Sequence, residues 1–189
     1  NSELKFLKSQ INPHFLFNTL NSLAALVYDD PHKVEKGIVR LSELYRNVLS
    51  ISNQTFISVA EELALIRDYL ELEKLRFQDK INYSIHSQEH SKNLKIPGLI
   101  IEPLVGNVIK HVLENQKEKV TIKISIERVK DYIHISVSDN GLGFKTGGIS
   151  TGYGLTSIKE RLQLLYGEDY NFDIDTKPEK GTTVSIRIP

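Results

Sequence analysis

The chain has 189 residues and a mass of 21.5 kDa, a length that fits one or two compact domains. Its 24 basic and 24 acidic residues cancel, so the net charge gives no reason to expect binding to nucleic acid or to an anionic membrane. Cysteine is absent, which excludes disulfides, thiolate zinc sites, iron–sulfur clusters and thiol catalysis.

The first part of the chain predicts a helical hairpin. Apolar residues recur at helical spacing from Ser2 to Tyr28, with an interruption at Pro13. Asp29-Asp30-Pro31 ends this helix, and a second helix runs to about Ile51. A hairpin with two long apolar seams is satisfied when a second copy completes a four-helix bundle. The first seam holds Leu16, Leu20, Leu23 and Val27, and the second holds Val34, Ile38, Leu41, Tyr45 and Val48.

Residues from about 56 onward mix helices with alternating strands and carry 10 of the 11 glycines. Ser58 and Glu61 have the spacing of a capping box at the start of a helix that runs to Phe77. This pattern predicts an α+β fold, in which a helical module precedes an α/β sandwich. Further helices are predicted over Leu99–Leu113 and Leu155–Tyr166, a polar loop over Ser87–Lys95, and strands around residues 81–85, 120–126, 133–137, 172–174 and 184–188.

His14 is a candidate nucleophile. It lies beside Pro13 and shares a helical stripe with Asn18 and Asn21, away from the first apolar seam. An exposed imidazole has a neutral nitrogen near neutral pH and can attack an electrophile. On spacing alone, a surface histidine next to a proline is the simpler interpretation.

Two glycine clusters are candidates for a phosphate or adenine site. Asp139-Asn140-Gly141-Leu142-Gly143 directly follows a predicted strand, and Gly152-Tyr153-Gly154-Leu155 opens a predicted helix. Glycines let backbone amides approach a ligand closely, and a helix N-terminus favours an anion. The spacing fits neither a Walker A loop nor a Rossmann fingerprint. A glycine-rich surface loop explains the first cluster equally well.

A third candidate is the helix that carries Asn107, Lys110 and His111. Asn107 and Lys110 share one face, and His111 is one turn from Asn107. An amide oxygen suits Mg²⁺, while a lysine and an imidazole suit phosphate. The alternative is a core helix whose polar side faces water.

In this order, these segments resemble the LytS/YehU-type sensor histidine kinases of two-component systems, over nearly the whole chain. Residues 7–21 look like their phosphoacceptor region, and Glu61-Glu62-Leu63 through Phe77 matches their next segment. Residues 101–111 look like the N box, 139–143 like the G1 box and 152–167 like the G2 region. Gly181-Thr182-Thr183 before the last strand is similar too.

The resemblance implies a dimerisation and phosphotransfer hairpin over residues 1–55 and a Bergerat-type ATP-binding domain over residues 56–189. It makes His14 the phosphoacceptor and Asp139 the acceptor of a hydrogen bond from the adenine amino group. Asn107 would hold Mg²⁺, Thr182 would support the adenine, and Gly152 and Gly154 would hinge a lid over the triphosphate. The ATP-binding residues so implied are Asn107, Lys110, His111, Asp139, Gly141, Gly143, Gly152, Gly154, Leu155 and Thr182.

The implied activity is autophosphorylation of His14 by ATP with Mg²⁺, followed by phosphoryl transfer to an aspartate of a response regulator receiver domain. The implied assembly is a homodimer without a nucleic-acid partner. The sequence contains no apolar run of membrane-spanning length. We therefore expect the cytoplasmic region of an inner-membrane-anchored sensor, whose membrane segment lies outside this sequence.

Gly106 departs from the family pattern, because an acidic residue usually precedes the N-box asparagine. A second hypothesis is therefore a catalytically weak or inactive ATP-binding dimeric signalling module. A third is a Bergerat-type ATPase or serine kinase that acts independently of His14. Phe15 stands where many histidine kinases have an acid, so the sequence assigns no general base.

Overall fold

The computed structural model describes residues 13–77, 80–110, 119–143 and 153–189. Its first part is the predicted hairpin, with helix α1 over Pro13–Leu26 and helix α2 over Pro31–Ile51. Asp30 caps α2, because its side chain accepts a hydrogen bond from the Lys33 N–H at 2.9 Å. Pro31 stands in the first turn of α2, where a missing N–H costs nothing. The predicted break between the two helices is confirmed.

The hairpin packs against a third helix, α3, over Val59–Phe77. Gly37 lies at a close contact between helices, since a Cβ there would overlap the Leu23 side chain and lie 3.0 Å from Leu75 Cδ1. These residues come from α2, α1 and α3 respectively, so Gly37 lets the three helices meet. The buried side chains of the hairpin are Phe15, Thr19, Leu23, Val34, Leu41, Leu44 and Ile51.

Some residues of the predicted apolar seams are buried within the chain, and others lie at its surface. Leu23 is buried, but Leu20 and Val27 are 45% and 42% exposed, and Ile38 in α2 is 50% exposed. The buried face of α1 instead includes Thr19 and Phe15, the latter in contact with Tyr69 of α3, and helical periodicity identified neither residue. The hairpin therefore buries one face within the chain and keeps a second apolar face at its surface.

The predicted capping box at Ser58 is confirmed. Glu61 Oε2 accepts hydrogen bonds from the Ser58 N–H at 2.7 Å and from the Ser58 hydroxyl at 2.6 Å. The Ser58 hydroxyl oxygen in turn accepts from the Glu61 N–H at 3.2 Å. Ser58 also ends a short strand, β1, over Phe56–Ser58, which pairs antiparallel with β3 over Lys95–Pro97. This β1–β3 ribbon was not predicted, because three residues are too few to show alternation.

The main sheet has five strands in the order β2-β4-β5-β7-β6. Only the β2–β4 pair is parallel, and the other three pairs are antiparallel. The predicted strand pair around Lys130 and Asp131 is confirmed as β4 and β5, with Lys130 at a φ of 56° in the turn. The bounds are β2 Ile81–Ser87, β4 Val120–Val129, β5 Tyr132–Asp139, β6 Asn171–Lys177 and β7 Gly181–Ile188.

One face of the sheet is covered by helices. Alternate residues of β4 and β5, such as Ile124 and Ile135, are buried, while their neighbours are more exposed. They form one hydrophobic core with residues of α3, of helix α4 (Glu102–Val108) and of helix α5 (Tyr153–Tyr166). The predicted α+β architecture is therefore confirmed. In the part of the chain that the structure describes, no helix is long and apolar enough to cross a membrane.

The prediction that a helix begins at Leu99 is wrong, because α4 begins at Glu102. Leu99 has a φ of 56°, which a right-handed helix does not admit. The fully buried Glu62 holds this turn, since its carboxylate accepts hydrogen bonds from the Leu99 and Ile101 N–H groups at 2.7 and 2.8 Å. Residues 87–95, predicted as a loop, include a short 3₁₀ turn over Glu89–Ser91.

Candidate functional site

Asp139 is the last residue of β5 and presents a half-buried carboxylate at the end of the sheet. Its Oδ1 accepts a hydrogen bond from the Gly141 N–H at 2.7 Å, and the Thr182 backbone N–H also donates to it. Burial raises the pKa of Asp139, and these two donors oppose the rise. The side chain is thus a fixed hydrogen-bond acceptor with capacity for further donors.

Two glycines hold the segment after Asp139 against the turn between β6 and β7. Gly143 has a φ of 57°, and a Cβ there would overlap the Lys177 carbonyl. Gly181 has a φ of 84°, and a Cβ there would overlap the Asp139 carbonyl oxygen. Because both approaches are backbone against backbone, no side chain can be accommodated at either position. The structure therefore brings Thr182 to the predicted segment that carries Asp139, Gly141 and Gly143.

Thr176 joins this group, although the sequence did not single it out. It is buried and pairs in register with Thr182 across β6 and β7. The two hydroxyl oxygens are 3.1 Å apart, and the Thr176 hydroxyl also lies 3.5 Å from the Gly181 carbonyl oxygen. The two threonines flank the β6–β7 turn symmetrically, so a prediction of the register of these two strands would have identified the pair.

A second group lies where α4 meets α5. Gly154, in the first turn of α5, would place a Cβ 3.5 Å from Pro103 Cβ and 3.7 Å from Asn107 Nδ2. The Asn107 amide therefore stands beside a helix N-terminus, where free N–H groups and the helix dipole favour an anion. Leu155 follows Gly154 in the same turn and is half-buried. Lys110 is exposed just beyond α4, whereas His111 and Gly152 lie outside the described residues.

His14 lies in the first turn of α1, on a different helix from both groups, and is exposed. The Asn18 side-chain nitrogen is 3.1 Å from His14 Nε2 and 3.3 Å from Nδ1, one helical turn away. Phe15 fixes the orientation of this turn, because its buried ring packs 4.8 Å from the ring of Tyr69 in α3. The imidazole consequently points away from the helix contact and remains accessible.

Two acidic side chains lie near Gly106, Glu102 directly and Glu73 through Tyr69, and no sequence pattern indicated this. A Cβ at Gly106 would lie 3.7 Å from Glu102 Oε1 and 3.7 Å from the Tyr69 hydroxyl. The Tyr69 side chain is hydrogen-bonded to Glu73 in α3. Burial raises the pKa values of Glu62, Glu73 and Glu102 to about 7. A carboxylate thus lies close to position 106, contributed by Glu102 one turn earlier.

Residues 94–189 match the model of the histidine kinase-, DNA gyrase B-, and HSP90-like ATPases. The chain belongs to this family. Residues 2–81 match the model of histidine kinases. The ATPase match covers the Asp139 and Asn107 groups, and the histidine kinase match covers His14.

Curated relatives confirm the resemblance to LytS-type sensor histidine kinases. The chain is 35% identical to the sensor histidine kinase YesM of Bacillus subtilis, over 100% of this chain and 33% of the relative. It is 34% identical to the sensor protein LytS of Staphylococcus epidermidis, over 100% of this chain and 34% of the relative. The chain spans about a third of the length of these relatives.

Solved structures show the same fold. The histidine kinase AdeS of Acinetobacter baumannii matches with a TM-score of 0.54 and 17% identity, over 96% of this chain and 95% of that chain. The histidine kinase domain of the Erythrobacter litoralis EL346 blue-light activated histidine kinase matches with a TM-score of 0.55 and 13% identity. That match covers 88% of this chain and 80% of the other.

Proposed function

We propose that the chain is the kinase portion of a two-component sensor. It transfers the γ-phosphoryl group of ATP to His14 and then to an aspartate on the receiver domain of a response regulator. The observation that supports this most is the presence, in one chain, of an exposed histidine on a helical hairpin and a fixed acceptor carboxylate, Asp139, at the end of the central strand. The membership of both halves in kinase-related families supports the same function.

Asp139 selects the base of the nucleotide. Its carboxylate accepts a hydrogen bond from the exocyclic amino group of adenine, with Gly141, Gly143 and Thr182 shaping the pocket. Guanine carries a carbonyl oxygen at the corresponding position, which would face the carboxylate without a proton between them. A site built around a buried acceptor discriminates strongly against such a ligand, because both polar groups would lose their partners.

The Asn107 group receives the phosphates. The first turn of α5, with Gly154 and Leu155, offers N–H groups to phosphate oxygens, and Lys110 adds a positive charge. Asn107 contributes a side-chain oxygen to Mg²⁺, which neutralises phosphate charge when it is bound with ATP. His111 and Gly152 stay predictions for the same site. Positioning and charge neutralisation are the main requirements of phosphoryl transfer.

A neutral ring nitrogen of His14 attacks the γ-phosphorus in line. The new N–P bond forms as the bond from phosphorus to the ADP oxygen breaks, ADP leaves with that electron pair, and the proton on the other ring nitrogen passes to water at the exposed imidazole. The Asn18 side-chain nitrogen lies 3.1 Å from His14 Nε2 and can donate only to the unprotonated ring nitrogen, so this hydrogen bond orients the ring before the reaction and breaks when that nitrogen attacks. Phe15 is buried against Tyr69 and supplies no base.

The division at about residue 55 separates the phosphotransfer hairpin from the ATP-binding domain. The apolar face of the hairpin with Leu20, Val27 and Ile38 fits a homodimer that closes a four-helix bundle. We place this dimer in the cytoplasmic region of an inner-membrane-anchored sensor, because ATP and the response regulator are available there.

Gly106 supports a second candidate, an ATP-binding dimeric signalling module with little or no turnover. Glycine supplies no side-chain carboxylate at this position. The nearby Glu102 is partly buried, and burial raises its pKa to about 7. Such a module would keep the Asp139 pocket and bind ATP. It would fail to label His14.

The test is incubation of the chain with Mg²⁺ and γ-labelled ATP, with acid-labile, base-stable label as the readout. His14→Ala should abolish the label, and the matched control His32→Ala, an exposed histidine of α2, should keep it. Label that persists in His14→Ala would contradict the proposal in favour of an activity independent of His14. Bound ATP without any label would favour the signalling module.

A further inference from the structure

Arg161 in α5 connects two segments that are distant in sequence. Its guanidinium donates hydrogen bonds to the Gly98 carbonyl and, at 3.3 Å, to the Thr55 carbonyl. The Gly98 N–H itself donates to the Thr55 carbonyl at 3.2 Å. Because Thr55 and Gly98 continue the pairing of β1 with β3, the guanidinium closes the end of the β1–β3 ribbon.

This end of the ribbon is the linker that carries the hairpin. Helix α2 ends at Ile51 and β1 begins at Phe56, so Thr55 is the last residue before the ATP-binding part of the chain. Helix α5 also contacts the first residue after the linker, because the rings of Phe56 and Tyr166 pack edge to face with centroids 6.4 Å apart. One helix therefore holds the end of the linker through a charged group and the adjoining start of β1 through an aromatic ring.

The other end of α5 lies at the proposed phosphate site. Its first turn places Gly154 against Asn107. Arg161 follows Gly154 by two helical turns, a distance of about 10 Å along a continuous helix. A hydrogen-bonded helix of this length moves as a unit, so a shift at its first turn reaches the guanidinium.

The network also reaches the helix of Asn107. The buried Glu62 carboxylate attracts the Arg161 guanidinium and binds the Leu99 and Ile101 N–H groups just before α4. The turn at Gly98 is thus held by Arg161 from one side and by Glu62 from the other. Both elements of the phosphate site, α4 and α5, are tied to the same linker.

We infer that Arg161 is a positioning residue that couples the nucleotide site to the linker of the His14 hairpin, an inference that rests on the proposed function. It acts through the carbonyls of Thr55 and Gly98 rather than through ATP. When a triphosphate settles at the first turn of α5, Arg161 sets the direction in which the linker leaves the domain. The hairpin is thereby held where His14 meets the γ-phosphoryl group.

The first test compares Arg161→Gln with Arg161→Lys and with the control Arg128→Gln. Arg128 also donates to a backbone carbonyl, that of Lys130, in an exposed turn away from α5. Arg161→Gln should lower the rate of His14 labelling about tenfold, while the Kd for ATP changes less than about twofold. Arg161→Lys should recover part of the rate because it keeps a donor and the charge. The fold should survive, since glutamine keeps an amide donor for the part-buried Gly98 carbonyl and water can replace the guanidinium at the exposed Thr55 carbonyl.

If Arg161→Gln labels His14 at the same rate as the parent chain, the inference is overturned. A fall in labelling that merely follows a fall in ATP affinity would overturn it as well, because Arg161 would then act on nucleotide binding. If the parent chain binds ATP but does not label His14, the proposed function fails, and the coupling is decided by a distance measurement.

That measurement uses the absence of native cysteine, which allows two spin labels to be placed without background. Ser42→Cys in α2 and Lys123→Cys in β4 are both exposed and report the distance between hairpin and sheet. A non-hydrolysable ATP analogue should change this distance in the parent and leave it unchanged in Arg161→Gln. An equal change in both chains, or no change in the parent, would overturn the inference.

Discussion

The carboxylate of Glu62 accepts hydrogen bonds from the backbone N–H groups of Leu99 and Ile101, across 37 and 39 residues of sequence. Glu62 is fully buried in α3, and its two acceptor oxygens face the turn that leads into α4. The position of Asn107, and with it the proposed Mg²⁺ ligand, therefore depends on a charged residue of the preceding helix.

Glu62→Ala should lower the free energy of unfolding by about 3 kcal/mol, because two buried N–H groups lose their acceptor. The adjacent Glu61→Ala is the matched control. It removes only the exposed partner of the capping box and should cost about 1 kcal/mol. Chemical denaturation of both variants measures the difference, and equal losses would contradict the role of Glu62.

Gly181→Ala should destabilise the fold by about 2–4 kcal/mol and abolish ATP binding, because its Cβ would overlap the Asp139 carbonyl oxygen at a φ of 84°. Gly167→Ala provides the comparison. Gly167 also has a positive φ, of 60°, but nothing lies within 4 Å of its Cβ position. We expect that variant to lose about 1 kcal/mol and to bind ATP normally. Thermal unfolding and ATP titration of both proteins test this.

Asp139→Ala should weaken ATP binding by about 10–100-fold, which corresponds to loss of a hydrogen bond to a charged, half-buried acceptor. Its preference for ATP over GTP should fall at the same time, because the group that rejects guanine is gone. Asp131→Ala, an exposed residue of the β4–β5 turn, should retain parental affinity and preference. Calorimetric titration with ATP and with GTP measures the change in affinity and the preference for ATP. An unchanged preference would mean that the base does not bind at Asp139.

Glu73→Gln should make the chain more stable at pH 8 and less sensitive to pH. Burial raises the pKa of Glu73 from about 4.5 in the unfolded chain to about 7 in the fold, so the folded state binds its proton more tightly. The stability that this proton contributes is fully present below pH 4.5 and is lost as pH rises to about 7. The glutamine variant should gain about 3 kcal/mol on the parent over that interval. Denaturation at pH 5 and pH 8 checks this, with the exposed Glu43→Gln as control.

Sequence patterns predicted the elements that obey a regular period. The alternation in β4 and β5 gave both strands and their turn, and the Ser58–Glu61 spacing gave the start of α3. The glycine motifs gave the residues that the structure gathers around Asp139 at the end of β5, and the N-box motif gave Asn107 beside the first turn of α5. These features depend on local spacing, which a single sequence contains.

Features that depend on tertiary contacts were not predictable in this way. A glutamate in a charged helix is usually exposed, so nothing in the pattern indicated that Glu62 is buried and binds the turn before α4. Phe15 belongs to the buried face of α1 because Tyr69 of α3 lies against it. Arg161 belonged to a recognised motif, yet its partners Thr55 and Gly98 lie 106 and 63 residues away.

The most direct measurement is peptide mapping by mass spectrometry after the chain has been incubated with Mg²⁺ and ATP, under conditions that preserve phosphohistidine. The account predicts one phosphoryl group on the peptide that contains His14, and much less of it in Asp139→Ala at the same ATP concentration. A phosphoryl group on a serine or threonine, or an unmodified His14 in a chain that is saturated with ATP, would contradict it.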